Sequence, residues 1–329
     1  MMPKHFLKIC ALASVAAGLA VTAQPAAAQE ITLRAVSAFP DGNFWSSQFE
    51  RFVKLVNEKG VGQVRVQYLG GAPKVMAPFE VGTNLKSGVI DLANNTSGFY
   101  VNLVPEADAL KLSDYTIQEM RQNGAWEVLN RIHEEKGNAY FLALPAEAVN
   151  HYIYLNKPVS RADLKGLKIR VSPIMRPVVE ALGGTAITTP PAEIYTMLER
   201  NTVDGYTWPI QGIFDFSWQR VTKYRLEPGV YNGDLVILAN ATRWKSLTNA
   251  QRKVLQDAAL QVENDNHTFY AQSRDDERKK QEGAGMKPLA LPDGDAKRMV
   301  QVARDQGWAA VMKSSPENGL KLKQLLTRP

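Results

Sequence analysis

Residues Asp163 to Pro209 read DLKGLKIRVSPIMRPVVEALGGTAITTPPAEIYTMLERNTVDGYTWP, and this stretch decides the fold. Leu167-Lys168-Ile169-Arg170-Val171 is a short strand with one arginine at its end. A helix follows and ends near Gly183-Gly184. A second helix opens on Thr189-Pro190-Pro191, because proline suits a first helical turn, where its missing N–H would have no partner anyway. Asp204-Gly205 is a turn into Tyr206, Trp208 and Pro209. A strand holds its side chains rigidly, so Arg170 is the candidate clamp for an anionic ligand. Trp208 is the candidate wall of the same pocket.

Toward the N-terminus the pattern alternates. Ile31 to Ala38 is an opening strand, and Trp45, Phe49, Phe52, Val53 and Val56 share one face at helical spacing. Val64, Val66 and Tyr68 alternate as a half-buried strand. Phe79 to Lys86 reads as a helix closed by Gly88, and Val89 to Ala93 as a buried strand. This β-α-β-α-β order predicts a mostly parallel sheet covered by helices. A capping box, Thr116-Ile117-Gln118-Glu119, starts a helix that Gly137 ends. Tyr140 to Leu144 and Asn150 to Asn156 are two further extended stretches.

Toward the C-terminus, Phe214 to Arg220 reads as helical, Leu235 to Asn240 as an apolar strand and Met286 to Leu291 as a last strand. A second capping box, Thr248-Asn249-Ala250-Gln251, starts a helix that runs to about Gln281 without proline or glycine. Its length of roughly 50 Å exceeds one small lobe and suits a brace between two. The alternative is a pair of helices broken near Asn264-Asp265-Asn266.

Residues 1–28 read as a secretory signal peptide: Lys4, His5 and Lys8 precede an apolar run from Ile9 to Val21, and Ala26-Ala27-Ala28 offers a cleavage site. The run is shorter than the ~20 residues a bilayer needs, which disfavours the alternative of an uncleaved anchor. The expected location is therefore the periplasm. Cys10 is the chain's one cysteine and lies in this segment, so the mature protein would have no disulfide, Cys-ligated zinc or thiol nucleophile. Without Lys4 and Lys8, 37 basic residues remain against 33 acidic ones, a formal charge of about +4. These charges are interspersed, the pattern of solvated helix faces rather than of a nucleic-acid stripe.

An enzyme is the competing class, and the sequence speaks against it. Arg131-Ile132-His133-Glu134-Glu135 lacks the second histidine of a zinc helix. No G-x-S-x-G elbow, P-loop or dinucleotide fingerprint occurs.

DLKGLKIRV, then EALGG, then PPAEIYTMLERNTVDG with Pro209 four residues after Gly205 come in the order and spacing of a known family. On these motifs the chain resembles the DctP-like solute receptors of TRAP transporters, over essentially its whole mature length. The resemblance implies an α/β, two-lobed periplasmic-binding-protein fold with crossing strands and a long lobe-spanning helix. It implies lobe 1 at residues 29–147 plus 234–273 and lobe 2 at 148–233 plus 274–329. It also implies a monomeric receptor without a cofactor that closes on a small-molecule carboxylate and delivers it to a small and a large TRAP membrane subunit. A cation bridging ligand and protein stays open.

In the family the arginine of the GLK-hydrophobic-R motif pairs with the ligand carboxylate, and that residue here is Arg170. Sialic-acid-binding members carry a second arginine where this chain has Asn150, and an asparagine where it has Trp208. These departures point to a monocarboxylate with an aromatic or 2-oxo body, stacked on Trp208; a C4-dicarboxylate or a sugar acid is the alternative. Phe39, Tyr100 and Tyr231 are candidate further walls, with ordinary core packing as the equal alternative for each. Thr96 is a candidate hydrogen-bond donor, Asn150 a candidate polar contact, and Arg176 a candidate second positive charge or a solvated helix residue.

Overall fold

A computed structural model describes residues 30–329, apart from the side chains of Glu147, Ala148 and His267. The signal-peptide reading lies outside the described residues. Among them run ten strands: β1 (Ile31–Ser37), β2 (Val64–Gly71), β3 (Leu92–Asn95), β4 (Ala139–Leu155), β5 (Lys168–Val171), β6 (Thr185–Thr188), β7 (Gly205–Pro209), β8 (Tyr224–Glu227), β9 (Asn232–Asn240) and β10 (Lys287–Ala290). The main path is β2-β1-β3-β9-β4-β7-β5-β6, with β8 and β10 attached beside β4.

The sheet falls into two parallel halves. β2, β1 and β3 pair in parallel on one side, and β7, β5 and β6 on the other. Two antiparallel strands join them. β9 pairs with β3 and β4, while β4 runs from β9 across to β7 and β8. The molecule is thus two-lobed, with β4 and β9 crossing between the lobes. The expectation of a mostly parallel sheet holds within each lobe and fails at the crossing.

The sequence suggested two strands where β4 is one of 17 residues. Pro145 lies within it, and the pairing with β9 shifts register three times between Phe141 and Val149. Proline cannot donate to a ladder, and such bulges bend a strand. The Asn266 side chain donates to the Pro145 carbonyl at 3.1 Å and steadies the bend. Three other expectations also needed correction. The helix that Thr116 starts stops at Asn123, where Gly124 takes φ +88°, and a second helix runs from Ala125 to Gly137. β3 starts at Leu92, because the amides of Val89 and Ile90 are spent on the Asn84 carbonyl, and Val89 is 51% exposed. Phe214 to Arg220 is mostly turn with a short 3-10 segment at Trp218–Arg220, because Gly212 and Ser217 both take positive φ.

Asn249–Gly283 is one unbroken helix of 35 residues, started by the Thr248–Gln251 capping box. It is not broken near Asn264. Leu255, Ala258, Ala259 and Val262 bury beside β1 and β2 side chains such as Leu33 and Val66. Near its other end, Gln281 donates to the Ile210 carbonyl at 2.7 Å and accepts from Arg225 at 2.6 Å, and Arg278 meets Glu227 and the Tyr152 hydroxyl. One helix therefore grips both lobes.

Candidate functional site

The loops that follow β1, β3 and β5, together with the end of β7, converge on one pocket. It holds a cavity of about 30 Å³ and is lined by Phe39, Trp45, Thr96, Gly98, Phe99, His151, Ser172, Ile174, Trp208, Pro209 and Asp234. Open α/β sheets place ligands beyond the carboxyl ends of their strands. Here both lobes contribute, and contacts cross between them. The Phe44 amide donates to Asp215 at 2.7 Å, and Lys111 Nζ donates to the Ile174 carbonyl at 3.0 Å. The cleft is shut. Gly212, at φ +87°, comes so close to Trp45 that a Cβ would lie 2.5 Å from the indole nitrogen.

Local sequence holds the wall in place. The Ser37 hydroxyl bonds the Ser46 hydroxyl at 2.8 Å and accepts from Asn94 at 2.9 Å. This ties the first helix, Phe44–Lys59, to β1 and β3 at the cleft. Phe39 packs 6.1 Å from Trp45 and 5.4 Å from Phe99, ring centre to ring centre.

Arg170 is fully buried on β5. Its Nε donates to the Thr189 carbonyl at 2.9 Å, and Nη2 donates to the same oxygen. Nη1 has no partner. One edge of the guanidinium is therefore fixed by backbone, while the end-on fork keeps a free N–H. Arg170 is not itself among the lining residues; it sits behind the wall, two residues before Ser172 and with its Cζ 6.0 Å from the Trp208 ring, and both of those neighbours line the pocket. Burial pulls its pKa down to about 9, against the opposing charge of Glu193, so it remains a cation at neutral pH. A planar fork of this kind meets a carboxylate with two parallel hydrogen bonds.

Trp208 is a wall and a core residue at once. It lines the pocket, its Nε1 donates to the Gln211 carbonyl at 3.1 Å, and its ring packs edge-on to Phe216 and Trp218. Phe39 and Thr96 line the same pocket. The Thr96 hydroxyl, however, already donates to Asp234 at 2.8 Å, so its proton is not free for a ligand.

Four other candidates stand elsewhere. The Tyr100 hydroxyl meets His133 at 3.0 Å in the core. Tyr231 donates to the Ala303 carbonyl at 2.7 Å, with its ring 4.2 Å from Lys111 Nζ. Asn150 faces Asn232 at 3.5 Å. Arg176 is held by Glu180, the Ala186 carbonyl and Thr188 on its own side of the cleft.

Sequence reasoning passed over Trp45, His151, Ser172 and Asp234. His151 is buried and neutral, its pKa depressed to about 3 by burial and by the charges of Lys111 and Arg170. Asp234 goes the other way: burial raises its pKa, although Ser97 and Thr96 bond it. A usable signal was the Tyr231-Asn232-Gly233-Asp234 turn, which sets a carboxylate at the start of an apolar strand.

Comparison with known proteins completes the picture. The sequence profile of "DctP: Bacterial extracellular solute-binding protein, family 7" matches residues 36–313. A TRAP periplasmic solute-binding protein from Desulfovibrio salexigens, solved with bound orotic acid, superposes with a TM-score of 0.80 at 22% identity, covering 90% of this chain and 97% of that one. DctP7 of Bordetella pertussis, a receptor binding pyroglutamic acid, gives 0.79 at 16% identity over 91% and 100%. A curated relative from Nostoc, the monocarboxylate 2-oxoacid-binding periplasmic protein all3028, is 23% identical over 225 residues, or 65% of this chain and 61% of its own length. The first curated relative, y4mM of Sinorhizobium fredii, is spanned over 42% of its length. With the shared fold and a profile match over most of its length, the chain belongs to the DctP family of TRAP periplasmic solute-binding proteins, a family of binders rather than of enzymes.

Proposed function

We propose that the protein is the receptor of a TRAP transporter for a small organic monocarboxylate, with an aromatic or 2-oxo body favoured. The carboxylate docks on the end-on fork of Arg170, and its body lies among Phe39, Trp45, Phe99 and Trp208. One observation carries this reading: a fully buried guanidinium with an unpartnered Nη1, next to an aromatic pocket. A buried N–H without a partner costs about 1–3 kcal/mol, more on a charged group, and an incoming carboxylate removes that cost. The relatives' orotic acid and 2-oxoacids are acids of this size class.

In this reading the lobes, residues 29–147 with 234–273 and residues 148–233 with 274–329, close on the ligand as a monomer. Only a ligand that contacts both lobes favours the closed state. The closed receptor then meets the small and large membrane subunits, and an ion gradient drives transport. No bound cofactor enters the scheme.

Thermal-shift screening of the purified protein against a carboxylate library tests the proposal. At a hundred times Kd a ligand adds about 2.7 kcal/mol, which reads as a rise of several degrees. Aromatic or 2-oxo monocarboxylates should give such rises without being consumed. A library in which no acid raises the melting temperature, or an acid that is turned over, would overturn the reading.

A further inference from the structure

Asp234 is the third residue of β9, is 8% exposed and lines the pocket. Its Oδ1 accepts from the Ser97 amide and from the Thr96 hydroxyl, each at 2.8 Å, and its Oδ2 accepts from the Ser97 hydroxyl. An ionised carboxylate offers about four lone-pair positions. Three are filled, which leaves Oδ2 one acceptor position.

Among the described residues no cation bonds it. Lys111, the lysine whose charge acts on Asp234, spends its ammonium on Asp108 at 2.7 Å and on the Ile174 carbonyl. His151 shares the pocket but is uncharged. The remaining wall, from Phe39, Trp45, Phe99, Ile174 and Trp208, is dominated by aromatic and aliphatic surface. A pocket with the anchored Arg170 guanidinium near one side and the Asp234 carboxyl in its wall is polarised. A monoanion fits only one way round: carboxylate toward Arg170, and something other than an acceptor toward Asp234.

We infer that Asp234 is a specificity-determining residue, selecting acids that carry an N–H or O–H donor away from the carboxylate and rejecting acids whose far end is a second carboxylate or a bare acceptor. The inference rests on the carboxylate-receptor reading above and narrows its ligand class. A hydrogen bond to a charged partner corresponds to roughly tenfold to a hundredfold in affinity. A second carboxylate would meet Asp234 as a like charge in a dry site, where charges are poorly screened.

Matched acids that differ at one atom test it. Calorimetric titration of the purified protein would compare pyrrole-2-carboxylate with furan-2-carboxylate, and indole-2-carboxylate with benzofuran-2-carboxylate, with succinate as the dicarboxylate. The N–H acid of at least one pair should bind about tenfold or more tightly than its oxygen partner, and succinate should bind weakest. Asp234→Asn should abolish or invert that preference, because an amide can turn its N–H₂ to the pocket. Equal affinities within each pair in the wild-type protein would overturn the role of Asp234 and leave the receptor reading intact. The same preference kept in a folded Asp234→Asn protein, judged by its circular dichroism, would overturn it too. If the variant does not fold, the wild-type ratio alone decides. If none of these acids binds and no acid of a wider library does, the receptor reading falls and the inference falls with it.

Discussion

Arg170 is buried on β5 with Nε and Nη2 on the Thr189 carbonyl and Nη1 unpartnered, and its Cζ lies 6.0 Å from the Trp208 ring. A lone arginine on a short strand, inside a motif with a fixed spacing, was legible because its neighbours Ile169 and Val171 are apolar and it is not. The hold that Thr189 keeps on its guanidinium was not legible, since that contact spans 19 residues and depends on a backbone carbonyl. His151 and Asp234 escaped for a similar reason: 83 residues separate them in the chain, and the pocket alone brings them together. Trp208→Asn should weaken aromatic acids more than small aliphatic ones, as measured by calorimetry; equal losses would argue against stacking. Gly212→Ala places a methyl 2.5 Å from the rigid Trp45 indole and forces φ +87° on a residue with a Cβ. Such overpacking costs about 1–3 kcal/mol, so ligand affinity should drop about tenfold. Unchanged affinity would mean that Trp45 and Gly212 do not meet in the liganded protein.

Elements were easier to read than their edges. Both capping boxes and the long helix were visible as local signals, because a side chain three residues from a threonine completes each of them. The joining of two predicted strands into β4 was not, because a proline inside a bulge looks like a strand end in sequence. Thr248→Ala removes the cap of the long helix and should cost about 1 kcal/mol, a fall of about 2 °C in melting temperature. Ligand affinity should stay the same, since the capping residue Gln251 bonds the Gln63 carbonyl at the start of β2, the opposite end of these strands from the pocket; a change in affinity would contradict that separation.

The helix Ala125–Gly137 carries a pH signature of its own. His133 contacts the Leu129 carbonyl through Nδ1 at 2.7 Å and the Tyr100 hydroxyl through Nε2 at 3.0 Å, and burial depresses its pKa to about 4. The unfolded imidazole protonates near 6.5, so the folded state is favoured fully above that pH and loses the advantage as pH falls toward 4. The loss from this one group is about 2 kcal/mol at pH 5. Urea unfolding at pH 7 and pH 5 should therefore show a smaller pH difference for His133→Gln than for the wild-type protein. Equal differences would show that the histidine titrates normally.

At the scale of the molecule, two parallel half-sheets, two crossing strands and one long helix frame the pocket. The family resemblance already implied two lobes, crossing strands and a spanning helix; which strands cross, β4 and β9, came only with the pairing. The proposed function depends on whether the buried guanidinium meets the ligand's negative group. Calorimetric titration of the tightest-binding acid from the library into Arg170→Lys, with the wild-type protein alongside, measures that contact most directly. An ammonium cannot supply the planar fork, and losing one charge-assisted hydrogen bond corresponds to about 1.5–3 kcal/mol. The expected result is a folded variant that binds roughly tenfold to a hundredfold more weakly, and wild-type affinity in that variant would contradict the assignment of Arg170 as the clamp.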